Sequence, residues 1–344
     1  MHSEIPIRVL RRSIIREAHP IPPEAVLNIR QHHNKALAIS FLFALGLCQV
    51  AVSPACAQPD TGAGDAQWRK ELDAWRAQRE RELSAPDGWL TLIGLEWLKP
   101  GVNSFGTATD CTIKIRARAP EHFGLLTVSG NMVQLLAPAG SFPADFQIDG
   151  KPAREGSLSA DNATPSTLTW HGLSMVVLHR GNRYALRIKD VDSPTRAQFQ
   201  GLHWYAPDPR FRVTAKWIPY PTPHVEKIPT IINTTLDMPA PGVAEFTLNG
   251  NTLRLEPVFE GGERDKLFFI LRDSTSQTTT YEAARFLHTG LPSNGVDQPG
   301  TLTLDFNELY NPPCAYTPYA TCPLPPEQNR LAVAIEAGEQ RYPY

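Results

Sequence analysis

Short segments in which apolar residues alternate with polar ones follow one another along most of the chain after residue 85. They are rich in Val, Ile, Thr and aromatic residues, and both this composition and the two-residue period are typical of β-strands. Two turn dipeptides that tolerate positive φ, Gly181-Asn182 and Asn249-Gly250, predict hairpins over residues 173–189 and 245–255. We therefore expect a mainly β protein.

A helical period precedes these strands. Trp68, Leu72, Trp75 and Leu83 recur at helical spacing with charged residues between them, and Pro86 follows. This pattern predicts an amphipathic helix that ends before the proline. It favours a stripe that packs on the body of the protein over the alternative, an aromatic ligand cage.

Two proline-marked stretches, residues 205–209 and 219–223, interrupt the strand pattern and place a domain boundary near residue 208. We expect residues 58–64 to be a linker and residues 65–207 to form the helix plus a β-sandwich. Residues 208–344 would form a small β-barrel or a second sandwich. Further strands are predicted at residues 111–117, 123–129, 132–137, 266–272, 279–287, 301–307 and 331–336.

The first 57 residues differ in composition from the rest. An apolar run from Ala36 to Val52 is followed by small residues up to Ala57, of the kind that a signal peptidase reads. We predict a signal peptide with an extended N-terminus, cleavage after Ala57, and export to the periplasm or the extracellular space. The alternative is a transmembrane anchor, but about 17 apolar residues is at the short limit for a span. After cleavage no stable membrane span is expected.

Charge and motifs exclude several classes of function. The formal net charge is −2, and no basic patch indicates nucleic-acid binding. The sequence lacks Gly-x-Ser-x-Gly, Ser-x-x-Lys, His-Glu-x-x-His, the phosphate-binding Gly-x-x-x-x-Gly-Lys and Cys-x-x-Cys. No histidine shows a metal-ligand spacing with a neighbour, so neither a metal nor a cofactor is predicted.

Polar residues gather near strand ends in the C-terminal half. Arg285 and Arg330 are suited to holding an anionic ligand, with Asp305 and Tyr281 as acid or base. The alternative is an ordinary structural network in the interior of a β domain. The predicted ligand-binding set is Arg272, Tyr281, Arg285, Asp305, Asn307, Asn329 and Arg330.

Three functions are consistent with this set. The first is binding of a small anionic or polyhydroxylated ligand by the C-terminal domain. The second is hydrolysis of envelope material by Asp305 with Tyr281 or Glu308, although no nucleophile is evident and no catalytic residue is assigned. The third is a structural or interaction protein of the cell envelope, whose protein partner the sequence does not identify.

A proline-crowded segment, Asn311 to Pro326, contains Cys314 and Cys322. In an oxidising compartment these are the natural disulfide pair, and closing a nine-residue loop would contribute about 2.6 kcal/mol. A metal site is less favoured because no histidine lies within the segment. Cys111 would remain as an odd thiol.

Several motifs of the chain occur together in one known family. They are Gly88-Trp-Leu-Thr-Leu-Ile-Gly-Leu-Glu-Trp-Leu98, Arg187-Ile-Lys-Asp190 with Phe199-Gln-Gly201, Thr280-Tyr281 with Arg285-Phe286, and the long stretch from Asp305 to Leu331. With these motifs the chain resembles the bacterial domain-of-unknown-function family numbered 1684 over residues 66–342. The resemblance implies no activity.

The N-terminal half has a second resemblance. Gly101-Val-Asn-Ser-Phe-Gly106, Asp110 to Ile115, Glu121-His122 and Ile148-Asp-Gly-Lys151 follow in the order seen in forkhead-associated β-sandwiches. This similarity implies the fold of the first domain. It does not imply phosphothreonine binding, because Thr107 occupies the place of the phosphate-binding arginine.

Overall fold

The computed structural model describes residues 61–342. The predicted signal peptide, its cleavage site and residues 58–60 lie outside the described residues. No helix in the described part is long and apolar enough to cross a membrane.

The chain begins with helix α1, Thr61–Ser84, so the last four residues of the predicted linker are helical. Its stripe packs as predicted, with Trp68, Leu72 and Leu83 buried. The ring centroid of Trp75 lies 5.6 Å from that of Trp204. The helix that the sequence assigned to the first domain therefore packs on residues that come after position 200.

Residues 92–190 form a β-sandwich. One sheet has the strand order β1-β11-β10-β9-β6-β7 and the other β3-β2-β4-β5-β8. Phe105 and Leu126 of one sheet and Met175 and Leu186 of the other share one hydrophobic core. The strands are β1 Leu92–Trp97, β2 Gly101–Gly106, β3 Ile113–Lys114, β4 Gly124–Ser129, β5 Met132–Leu136, β6 Gln147–Ile148, β7 Lys151–Pro152, β8 Gly156–Leu158, β9 Thr167–Trp170, β10 Leu173–Arg180 and β11 Arg183–Asp190.

A short helix, α2 Pro194–Ala197, leads to the C-terminal strands. These form a four-stranded sheet, β14-β13-β12-β17, and a two-stranded sheet, β15-β16. None of the sheets in residues 61–342 closes into a barrel, so the barrel alternative is wrong and the mainly β class is confirmed. The strands are β12 Arg212–Pro229, β13 Thr235–Leu248, β14 Asn251–Leu255, β15 Leu267–Leu271, β16 Arg285–Thr289 and β17 Gly300–Asp305.

Both predicted hairpins are confirmed. Strands β10 and β11 pair up to Arg180 and Arg183, on either side of the predicted turn. Strands β13 and β14 pair up to Leu248 and Asn251. The turn between them, Asn249-Gly250, has φ of 51° and 79°, which is the conformation that favours Asn and Gly in two-residue hairpins.

Four predicted elements differ from the structure. The proline-marked residues 219–223 lie inside β12, where a register shift against β13 tolerates prolines that cannot donate to the ladder. Of the strand predicted over 111–117, only Ile113–Lys114 pairs in a sheet, beside β2. The predicted strand over 279–287 begins only at Arg285, and residues 331–336 form no strand. The backbone of these two segments makes turn and loop hydrogen bonds in place of sheet hydrogen bonds. For example, the Leu331 N–H donates to the Arg272 carbonyl, and the Thr280 N–H donates to the Thr275 carbonyl.

Candidate functional site

A cavity of about 350 Å³ lies where α1 meets the C-terminal sheets. We call it the carboxylate cavity, because Asp305 and Glu308 are part of its wall. Residues from α1, the start of β12 and the ends of β16 and β17 also line it. The lining side chains that bear polar groups are Trp68, Glu71, Arg212, Lys266, His288, Thr289, Thr303, Asp305 and Glu308.

Asp305 is the last residue of β17 and is held by several neighbours. The Trp68 indole N–H donates to its Oδ2 at 2.6 Å, and Oδ1 accepts from the Asn307 backbone N–H at 3.0 Å. This second bond caps a 3-10 turn over residues 306–308, which is why the strand predicted to reach 307 ends earlier. Arg212, directly opposite on β12, places its Nε 3.6 Å from Oδ2.

Glu308 lies in the 3-10 turn immediately after Asp305. Burial raises the pKa of Glu308 to about 7; the negative charge of Asp305 adds to this rise and the positive charge of Arg212 opposes it. A carboxyl group with such a pKa exchanges its proton near neutral pH, as a general acid or base must. A carboxyl that is perturbed in this way and lines a cavity is a physical indication of a functional site.

Basic groups line the same cavity. The His288 ring stacks on Phe268 at a centroid distance of 4.6 Å, and its Nδ1 lies 2.9 Å from the Tyr310 hydroxyl. Lys266 pairs with Glu263 at 2.7 Å, and this hydrogen bond raises the pKa of Lys266. The cavity therefore presents carboxylate acceptors and cationic donors to one space.

Arg285, the residue on which the predicted anion site depended, is fully buried. Its guanidinium pairs with Asp273 at 2.7 Å and donates to the carbonyls of Ile335 and Ala337. These contacts join β16 to the segment before the C-terminus. These contacts are those of an internal structural network, which was the alternative interpretation of the sequence.

Two predicted asparagines hold backbone segments together. The Asn307 side chain donates to the Asp208 carbonyl at 2.9 Å and accepts from the Asp208 N–H at 3.0 Å. The Asn329 side chain makes the same pair of bonds to Glu256, both at 2.8 Å. Both asparagines are buried, and these amide groups bond to the protein itself.

The remaining predicted residues lie at other places. The buried Tyr281 donates its hydroxyl to the Cys314 carbonyl at 3.1 Å. Arg330 is exposed and donates to the Pro325 carbonyl, while Arg272 pairs through its backbone with the chain around Arg330. Of the seven predicted residues, the carboxylate cavity includes Asp305 and none of the other six.

Sequence reasoning missed Arg212, Lys266 and His288, and favoured packing over ligand contact for Trp68. The one available signal was charge, because Arg212 and Asp305 are a cross-strand pair of opposite sign. Recognising that pair requires the register of β12 against β17, two strands that are far apart in the sequence.

The proline-crowded segment is tied to α1 by a buried polar cluster. Arg79 donates to the Asn311 carbonyl at 2.9 Å, and Asn311 Nδ2 donates to Glu339 Oε1 at 2.8 Å. Tyr316 donates its hydroxyl to the same carboxylate. Complete burial raises the pKa of Glu339, and the neighbouring Arg79 opposes this. The cluster fixes the segment against the helix.

The cysteines of the described part, Cys111, Cys314 and Cys322, are free thiols in this structure. Cys314 and Cys322 are nevertheless adjacent, since the Cys314 N–H donates to Cys322 Sγ at 3.2 Å. The side-chain hydrogen bond between the two thiols lowers the pKa of Cys314. The predicted disulfide stays a prediction.

Comparisons with known proteins give one similar solved structure and one family match. The chain is similar to an uncharacterized protein of Haloarcula marismortui solved by NMR, at 32% identity over 42% of this chain and 78% of that chain, with a TM-score of 0.36. A search of curated proteins gave no match. Residues 197–340 match the model of a family described as "Protein of unknown function (DUF1684)". The wider resemblance over residues 66–196 and the forkhead-associated similarity stay predictions. The C-terminal part of the chain, residues 197–340, belongs to the DUF1684 family.

Proposed function

We propose that the C-terminal part of the protein binds a small polyhydroxylated ligand in the carboxylate cavity. The observation that carries the proposal is the meeting of Asp305 and Glu308 with Arg212, Lys266 and His288 around one cavity. Its volume of 350 Å³ is at the lower end of ligand pockets, which measure about 300–1,000 Å³. A small ligand rather than a polymer fills such a space.

The mixture of charges selects the ligand chemistry. A carboxylate accepts hydrogen bonds from hydroxyl groups, and Arg or Lys donates to hydroxyl oxygens. A ligand with one dominant negative charge would be repelled by Asp305 and by ionised Glu308. A neutral molecule with several hydroxyl groups uses both sides of the cavity, so we favour it over the anionic ligand that the sequence left open.

Calorimetric titration of the protein with mono- and disaccharides and other small polyols tests this proposal. We expect Asp305→Asn and Glu308→Gln each to weaken binding at least about tenfold, since each loses a charge-assisted hydrogen bond. Asp237→Asn, at an exposed carboxylate paired with Lys227, is the matched control and should bind as wild type. The proposal is wrong if no polyol binds, or if the cavity variants bind as tightly as the control.

A second candidate is a hydrolase in which Glu308 transfers the proton. It is favoured by one observation: Glu308, with its pKa raised to about 7, lies beside Asp305, whose carboxylate is held by Trp68 and Asn307. Two carboxyl groups in such different environments are suited to separate acid and base roles. A screen of chromogenic glycosides and esters should then show activity that Glu308→Gln abolishes. Activity that the variant retains in full, with an unchanged pH profile, would exclude this role.

We also propose that the protein is exported, on the basis of the apolar run before Ala57. Expression with its natural N-terminus, followed by N-terminal sequencing of the mature protein, tests this. The expected first residue is Gln58. A protein that keeps residues 36–52 and stays in the membrane fraction would support the anchor instead.

A further inference from the structure

Three side chains of metal-binding type converge beside the four-stranded sheet. His224 and Glu226 belong to β12, and Glu256 follows directly after β14. His224 Nε2 lies 3.0 Å from Glu256 Oε1 and 3.3 Å from Glu226 Oε2. The three ligand atoms lie within 4.8 Å of one another.

The course of β12 explains this convergence. Residues two apart on a strand point to the same face, so His224 and Glu226 project together. The register against β13 shifts between Pro219 and His224, which makes the strand bulge immediately before the pair. Bulges redirect side chains and are common beside functional sites. Glu256 reaches the same place from a different part of the chain.

Glu256 supplies an independent sign of a ligand. Its side chain is only 10% exposed, and its Oε1 is a buried atom with no well-aligned hydrogen bond from residues 61–342; His224 Nε2, 3.0 Å away, forms only an ion-pair contact, and only when the imidazole is protonated. The other oxygen, Oε2, accepts from the Tyr220 hydroxyl at 2.9 Å and from Gln328 Nε2 at 3.3 Å. Buried carboxylate oxygens that lack a hydrogen bond are rare because leaving them unsatisfied is costly.

The surrounding bonds fix the orientation of this carboxylate. Tyr220 and Gln328 hold one oxygen, and the two bonds from Asn329 hold the backbone of Glu256. The remaining oxygen is therefore directed at His224. Such outer bonds are what orient metal-binding carboxylates in proteins.

We propose that His224, Glu226 and Glu256 form a binding site for a first-row divalent cation, with Zn²⁺ as the best fit. Bonds of about 2.0–2.1 Å at tetrahedral angles separate two ligand atoms by about 3.3 Å. The observed separations of 3.0 and 3.3 Å match this value. The imidazole nitrogen favours zinc over Mg²⁺ or Ca²⁺, and three protein ligands leave a fourth position for water or substrate.

The sequence predicted no metal because a His-x-Glu pair is not a recognised ligand spacing and the third ligand lies 30 residues away. The competing explanation is a protonated imidazole that pairs with the two carboxylates without any metal. The two explanations differ in their response to zinc, and the chain offers a matched control. His288 Nε2 also lies 3.3 Å from a carboxylate, that of Glu260, but among residues 61–342 it has no second carboxylate at ion-pair distance.

The test is a zinc titration of the metal-free mature protein in competition with a chromophoric chelator. We expect one tightly bound equivalent in wild type and an affinity at least about tenfold lower in His224→Ala, Glu226→Gln and Glu256→Gln. His288→Ala should bind as wild type. Bound Co²⁺ should give the visible absorption of a tetrahedral site, which the same variants lose. Circular dichroism confirms that each variant is folded, and His224, whose side chain is 45% exposed, gives a variant that leaves the interior unchanged.

Three results would overturn the proposal. One is the absence of zinc binding at micromolar concentration in wild type. Another is full zinc affinity in the folded variants of His224 and Glu226. The third is loss of zinc binding in His122→Ala but in none of the other variants. That result would place the zinc ion at the surface cluster of Asp110, Cys111 and His122 instead.

Discussion

Replacement of Glu308 by Gln should make the stability of the protein less dependent on pH. In the folded protein the pKa of Glu308 rises from the usual 4.5 to about 7, because the group is buried and faces Asp305. At about 1.36 kcal/mol for each unit of pKa, the upper bound on the free energy involved is about 3.4 kcal/mol. Glu308 retains some contact with solvent, so we expect about 1–2 kcal/mol.

The sign follows from proton binding. Between pH 4.5 and about 7 the folded protein keeps the Glu308 proton while the unfolded chain has lost it. The contribution of Glu308 to the free energy of unfolding therefore falls as pH rises through this window, and it is constant at higher pH. Glutamine cannot ionise, so Glu308→Gln should gain stability relative to wild type as pH rises, and the gain should level off near pH 8.

The assay is urea denaturation followed by tryptophan fluorescence, at pH values between 4.5 and 8. Wild type and Glu308→Gln are compared with Glu121→Gln, a variant at an exposed carboxyl group of the sandwich. We expect the free energy difference between wild type and Glu308→Gln to change by about 1–2 kcal/mol across this range, and the control to show no such change. A difference that is independent of pH would refute the assignment of a raised pKa to Glu308.

Three other substitutions or treatments test the structure. Arg285→Met should destabilise the protein by about 3–5 kcal/mol in chemical denaturation, because Asp273 is left buried and unpaired; a loss below 1 kcal/mol would contradict this. Trp68→Phe should cost about 1–3 kcal/mol, since a buried carboxylate loses its indole donor, and its melting temperature checks this. If Cys314 and Cys322 form a disulfide after export, reduction should lower the free energy of unfolding by about 2.6 kcal/mol; the double serine variant should not respond to reductant.

The local pattern of the sequence was sufficient to predict the hairpins and α1. Asn249-Gly250 favours the positive φ angles of its turn, and Trp68, Leu72 and Leu83 recur on one helical face. Each of these features depends on residues that are close in the chain. Local conformational preference and the spacing of apolar residues are therefore enough to predict them.

The composition of the candidate site could not be predicted in this way. Asp305 was identified because it is a polar residue near the end of a predicted strand, but its neighbours Arg212 and Trp68 come from β12 and α1. Arg285 and Asn329 have the same polar character in the sequence and yet lie in the interior, bonded to carbonyl and N–H groups. Residue type alone does not distinguish these two environments.

The order of residues along the chain was enough to specify the mainly β class, the two hairpin turns and the polar residues available for a site. The tertiary structure decided which of them meet. It placed α1 against Asp305, buried Arg285 beside Asp273, and brought Glu256 to His224. Contacts between distant segments decide which side chains are buried, and burial in turn shifts the pKa of a carboxyl group and removes water from polar atoms.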